Sequence, residues 1–207
     1  MTQTDRIQPQ TELRTVEILD GVRQAFAEKG FDGASMQDLA RACGMSVGNF
    51  YRYFPSKAAI VAALVTRDLT EVEQEFSQII ESPAPMITLR KALHQRIETE
   101  GCATEGRIWA EMMAASLRKP EVAEITQQME TEISRYLTIV FARVRGISAE
   151  EARLRYGPHA SLLVMMIKAS TIHRAQAHQT GPDLVALISR TINHILDEIE
   201  VDGSKGQ

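Results

Sequence analysis

The chain has 207 residues, 44% hydrophobic and 24% charged, with aromatics at 5% and a formal net charge of −4. This balance fits a globular protein able to bury a real core, and the scarcity of aromatic and clustered β-branched residues points to an all-α fold. The polar first ten residues and the lack of any run of roughly 18 apolar residues predict no signal peptide, no membrane span and a cytoplasmic location by default.

The elements read in order as helices. Leu13, Val16, Ile18, Leu19, Val22, Ala25 and Phe26 recur at helical spacing before Gly30, a natural C-terminal stop. Ser35-Met36-Gln37-Asp38 is a capping box opening a short second helix, with Leu39, Ala40 and Cys43 as its apolar face and Gly44 as its end. Ser46 caps a third short helix that ends near Phe54-Pro55. Ser56-Lys57 opens a fourth, with Ile60, Leu64, Val72, Phe76 and Ile79 on one face, until Pro83 and Pro85 break it.

Helical segments follow near 86–99, 104–118 and 121–145, separated by Gly101, Gly106 and Lys119-Pro120. Ser148-Ala149-Glu150-Glu151 is a second capping box, starting a helix from about 149 to 178. Its middle, Leu162 to Ile167, is apolar all round, which predicts burial on more than one side. Gly181-Pro182 marks the last start, and Leu184, Ile188, Ile192, Ile195 and Ile199 run along one face.

The net charge conceals a local pattern. Residues 1–57 carry seven bases (Arg6, Arg14, Arg23, Lys29, Arg41, Arg52, Lys57) and seven acids (Asp5, Glu12, Glu17, Asp20, Glu28, Asp32, Asp38), so the acidity lies in the remainder. Between Leu39 and Lys57 there are three bases and no acid. A cationic edge on an acidic body is sufficient for phosphate contact.

The segment Ala34 to Lys57 carries the function. Two short helices joined by a tight Gly-Met-Ser turn have little core of their own and must pack on the first helix. In a helix-turn-helix the second of the pair enters the major groove, its N-terminal residues at base edges. Here that helix begins Ser46-Val47-Gly48-Asn49: small residues that admit the duplex, and an amide able to pair bidentately with adenine. Tyr51, Arg52 and Tyr53 supply donors for flanking phosphates. Lys57, in the first turn of the next helix, opposes the helix dipole unless a phosphate sits there.

At these residues the chain resembles the TetR family of bacterial regulators. The match runs through Ala25-Phe26, Gly30-Phe31, Ser35-Met36, Leu39-Ala40 and Cys43-Gly44-Met45-Ser46, then unbroken from Val47 through Phe54 to Pro55-Ser56-Lys57. The resemblance implies about nine helices, a homodimer reading a palindromic double-stranded operator, and a small-molecule pocket in the C-terminal part. It places Ser35, Tyr51, Tyr53 and Lys57 on phosphates, Val47, Gly48 and Asn49 at bases, and Phe50 and Phe54 in the small core, with Met36 and Ser46 at the helix starts of the same surface. Trp109-Ala110-Glu111 and Ala115 through Pro120 resemble a subset of the family. The domains expected are a DNA-binding domain over 11–57 and an effector-binding and dimerisation domain over 58–202.

The last two helices are the expected dimer interface, because one small domain cannot satisfy a helix apolar on several faces. Phe76, Trp109, Met112, Met113, Met129, Tyr136, Met165 and Met166 are the candidate effector pocket, since adaptable methionines suit an apolar or amphipathic ligand. Plain core packing is the alternative for each. Cys43 and Cys102 lie far apart without a CxxC partner, and His94, His173 and His178 lack zinc-ligand spacing, so no metal or cofactor is expected. Arg174, Asp183 and Glu98 read as solvated helix charges. No nucleophile elbow, phosphate-binding glycine loop or HExxH occurs, and Glu105 and Glu111 are not a catalytic pair, so the chain is not read as an enzyme. A repressor released by its effector is the leading reading; an effector-independent activator or architectural DNA binder is the alternative.

Overall fold

A computed structural model describes residues 7–98, 103–176 and 181–201; Cys102 and His178 lie outside the described residues. The described residues form helices and no strand: α1 Ile7–Lys29, α2 Met36–Ala42, α3 Val47–Tyr53, α4 Lys57–Glu81, α5 Pro85–Glu98, α6 Ala103–Ser116, α7 Pro120–Arg145, α8 Ala149–Gln176 and α9 Pro182–Val201. None of these helices is long and apolar enough to cross a membrane.

The punctuation works as the side chains dictate. Ser35 and Asp38 complete both halves of the capping box on α2. At the other end of α2, Met45 N–H donates to Ala40 O (2.9 Å) and Gly44 N–H to Arg41 O (3.0 Å). This paired closure needs a left-handed residue between helix and turn, which Gly44 provides at φ +62°. Ser46 caps α3 by accepting from Asn49 N–H at 3.3 Å, and Ser148 does the same for α8 from Glu151 N–H at 3.1 Å. α8 continues through Pro158, which removes one backbone donor without ending the helix.

The chain divides into two compact units. The first joins the described residues up to Thr66 with Ala110–Thr126; the second joins Arg67–Trp109 with the described residues from Gln127 onward. In the first, Ile18, Val22, Phe26, Phe31, Leu39, Phe50, Phe54, Ile60 and Leu64 are buried. In the second, Val72, Phe76, Ile79, Leu89 and Ile97 pack with Leu137, Phe141, Tyr156, Leu163, Ile192, Leu196 and Ile199 in one core. Each such large side chain contributes about 1.5–3 kcal/mol by leaving water. Arg90 locks α5 to α9 through Asn193 Oδ1 (2.9 Å), Asp197 (2.7 Å) and Glu200 (2.9 Å).

Within the single chain, the apolar stretch Leu162–Ile167 divides between buried and exposed side chains. Leu163 is sealed, whereas Leu162 and Met165 face outward. The α9 stripe behaves likewise: Ile192, Ile195 and Ile199 are buried, but Leu184 is exposed.

Candidate nucleic-acid interface

α2 and α3 are seven residues each, too short to be stable alone, and they are held by Leu39, Ala40 and Phe50, all at zero exposure. The Phe50 and Phe54 rings pack with centroids 5.7 Å apart, so the two phenylalanines fill the small core as expected. Turning these inward leaves the rest of α3 outward. Gly48, Asn49, Tyr51, Arg52 and Tyr53 are exposed, and Val47 is half-buried. Ser35 and Ser46 are exposed at the starts of the two helices, with Met36 half-buried beside Ser35.

Gly48 has no packing reason to be glycine, because a Cβ there would meet nothing within 4 Å. Its smallness matters only to something that approaches from outside. Asn49 presents its amide beside it with its backbone N–H already used in the cap.

The electrostatics single out two cations. In the first unit Arg14 pairs with Glu17, Lys29 with Asp38, and Arg118 and Lys119 with Asp32, while Arg23 also has a partner. Among the described residues of that unit, Arg41 and Arg52 are the cations left without one. Both lie on the helix-turn-helix. Arg41 was not singled out by the sequence reading, nor was Gln37. With Gly44, Met45, Ser46 and Val47 they line a cleft of about 380 Å³ between α2 and the start of α3. Their four-residue spacing on α2 was the available signal.

Lys57 is placed differently from a simple phosphate anchor. Its Nζ donates to the carbonyls of Phe31 (2.7 Å) and Asp32 (3.2 Å) and lies 5.3 Å from the Phe31 ring centroid. Burial pushes the ammonium pKa down, opposed by the Asp32 charge and assisted by Lys119. Two of its three N–H groups therefore fasten the α1–α2 turn to α4, and one remains for an outside acceptor. Cys43 donates its thiol to Ile18 O at 3.3 Å, and burial raises its pKa, which makes it an inert packing residue.

The eight candidate pocket residues are not brought together in one compact unit. Met112 and Met113 belong to the first; Phe76, Trp109, Met129, Tyr136, Met165 and Met166 belong to the second. Phe76 and Met129 are core, and Phe76 stacks on Tyr136 with centroids 5.5 Å apart. Met165 is 59% exposed and points away from any interior space. The second unit does hold an apolar cavity of about 240 Å³ between α5, α8 and α9. Met166 lines it with Ile97, Ser170, Val185 and Ile188; the other seven candidates do not. Arg174, read as a solvated charge, instead caps α5 by donating to Ile97 O (2.5 Å) and Arg96 O (2.7 Å) at the edge of this cavity. Among the described residues no group of three or more histidine, cysteine or carboxylate side chains is arranged to hold a metal.

Comparison with known proteins agrees with this geometry. Residues 18–64 match the family described as bacterial regulatory proteins, tetR family, which spans α2, α3 and the start of α4. The HTH-type transcriptional regulator UidR of Escherichia coli is 26% identical over 133 residues, covering 64% of this chain and 67% of that protein. The HTH-type transcriptional repressor Rv1474c of Mycobacterium tuberculosis is 44% identical over 55 residues, 27% of this chain and 29% of that one. Among solved structures, the transcriptional regulator FadR from Bacillus subtilis in complex with stearoyl-CoA superposes with a TM-score of 0.62 at 19% identity, covering 89% of this chain and 96% of that chain; at this identity the likeness shows the fold alone. The chain is thus similar over residues 18–64 to the tetR family of bacterial regulatory proteins, and the matched stretch contains the α2–α3 pair.

Proposed function

We propose that this protein is a homodimeric repressor that grips a palindromic operator through α3 and is released by a small apolar or amphipathic effector. The observation that carries the DNA-binding part is the distribution of unused polar groups. Asn49, Tyr51, Arg52 and Tyr53 stand exposed around an unfilled position at Gly48, while almost every other cation of that unit is consumed internally. An amide at base edges with guanidinium and phenol groups beside it is the donor set that a major groove and its phosphates require. Ser35 and Met36, at the start of α2, and Ser46 with Val47, at the start of α3, complete the contact surface, with Lys57 offering its remaining N–H to a phosphate.

Dimerisation is assigned to α8 and α9. Leu154, Leu162 and Met165 on α8, with Leu184 and Leu187 on α9, are exposed large apolar side chains in the single chain. Two-fold pairing of these helices into a four-helix interface would bury them and set the two α3 helices about one DNA turn apart, on the order of 34–36 Å. Repression is supported by the name of the Rv1474c relative. The effector class is supported by the apolar lining of the α5–α8–α9 cavity and by the stearoyl-CoA bound to FadR. Effector binding would tilt α4, the helix that follows the DNA-reading pair, and misalign the two recognition helices, provided the effector prefers one state.

Selection of bound duplexes from random DNA by the purified full-length protein tests the reading. A recovered palindrome with half-sites one turn apart supports it, and no enrichment at low salt, with or without cell extract, overturns it.

A further inference from the structure

We propose that Gln37 on α2 is a second sequence-reading residue, holding the edge of an A·T pair distinct from the base pair assigned to Asn49. The proposal goes beyond reading by α3 and rests on the DNA-binding part of the proposed function. Its observation is a cleft on the first unit whose open polar groups have no task within the protein.

Gln37 and Arg41 are exposed and one helical turn apart, so they stand on one face of α2. Neither has a partner among the described residues. Packing does not use them either, since Leu39 and Ala40, both at zero exposure, hold α2 to the core. The neighbouring carboxylate is already spent: Asp38 accepts from Lys29 Nζ at 2.5 Å and from the Ser35 backbone N–H at 3.0 Å. Gln37 and Arg41 form one wall of the 380 Å³ cleft, and the start of α3 forms the other. On that second wall Ser46 Oγ accepts the Asn49 N–H at 3.3 Å, while Met45 and Val47 are half-buried and apolar.

The two open groups differ in what they can match. The Arg41 guanidinium only donates, which suits phosphate oxygens, and these only accept. The Gln37 amide carries donors and an acceptor together, so against a phosphate its carbonyl would face negative charge with nothing to accept. Adenine satisfies both ends, because its N6 amino group donates to the amide oxygen and its N7 accepts from the amide nitrogen. Guanine offers two acceptors at the same edge and would leave the glutamine oxygen unmatched. The thymine of an A·T pair adds a methyl group in the major groove, and Met45 and Val47 supply apolar surface beside Gln37 for it. The cleft thus carries the complement of an A·T pair, bordered by a cation for the adjacent phosphate.

Sequencing of duplexes selected from a random pool by the full-length protein reads this assignment pair by pair. In the wild type each half-site is expected to hold an A·T pair whose preference falls roughly 5- to 150-fold in Gln37→Ala, while Asn49→Ala loses preference at a different pair. The slope of log affinity against log salt stays unchanged in Gln37→Ala, since no phosphate contact is lost. Gln37→Glu should move the preference at that same pair towards cytosine, whose N4 amino group donates to a carboxylate, a change that a purely structural role would not produce. Base reading by α2 is overturned by an unchanged profile in Gln37→Ala, by an equal loss for all sequences, or by loss of the same pair as in Asn49→Ala. It is overturned equally by a Gln37→Glu variant that keeps the A·T preference. A wild type that selects no duplex removes the regulator reading and this proposal together.

Discussion

The α2–α3 surface and the outer face of α8 and α9 both leave groups unused, but of opposite chemistry. On α2 and α3 Leu39, Ala40 and Phe50 are sealed, and what stands outside includes two amides, two phenols and, among the described residues, two guanidiniums without a partner. On α8 and α9 Leu154 is 68% exposed, Leu162 44% and Leu187 52%. On the proposed function a polyanion meets the first surface and a copy of the same chain meets the second. The lesson is that an unsatisfied surface names its partner by what it fails to bury, and each half of the contrast can be broken separately.

The largest effect is expected on the apolar side. Leu162→Glu would place two carboxylates, related by the two-fold axis, in one apolar contact, and should weaken the dimer by roughly 100-fold or more. Sedimentation at micromolar concentration reads it, and a dimer that persists would mean the interface lies elsewhere. On the polar side, Asn49→Ala should cost about 1–3 kcal/mol of preference at one base pair of each half-site, visible in the selected-sequence profile. An unchanged profile would remove Asn49 from base reading.

A pair of glycines sharpens the contrast between folding and reading. Gly44→Ala should destabilise the fold by about 1–2 kcal/mol in thermal or denaturant unfolding, because its left-handed φ is needed by the turn. Gly48→Ala should stabilise the helix by up to about 1 kcal/mol while weakening DNA binding, since a Cβ there meets nothing in the protein and on the proposed function the duplex approaches that open space. Smaller again, Arg41→Gln and Arg52→Gln should each lower the slope of log affinity against log salt by about 0.9, for all sequences alike. Either variant with an unaltered slope has no phosphate partner.

The smallest effect is in acid. Asp38 has its pKa pushed far down by the Lys29 ammonium and then by Ser35. A depressed carboxylate contributes fully above its unfolded value of about 3.9 and loses that contribution as pH falls towards its folded value. Melting temperatures should therefore show no loss from this group between pH 7 and 5. Asp38→Asn should differ from wild type there and converge on it in strong acid.

Much of the fold was legible because its determinants are local. The capping serines, the stop at Gly44 and the break at Pro83–Pro85 act within a few residues, and the α4 stripe of Ile60, Leu64, Val72, Phe76 and Ile79 is buried throughout. The exposure of the proposed reading surface was legible for the same reason, since the contiguous string from Ser46 to Lys57 holds most of its side chains. What only tertiary structure decided are pairings across the chain. Glu111 meets Phe31 across 80 residues and Arg118 meets Asp32 across 86, distances over which no periodicity carries information. That same folding uses Lys57 on carbonyls and Arg174 on the end of α5, turns Met165 outward, and leaves Arg41 without a partner among the described residues. Sequence determined which groups each helix offers; packing decided which of them were already taken, because a charge is available to a ligand only if no neighbour reaches it first.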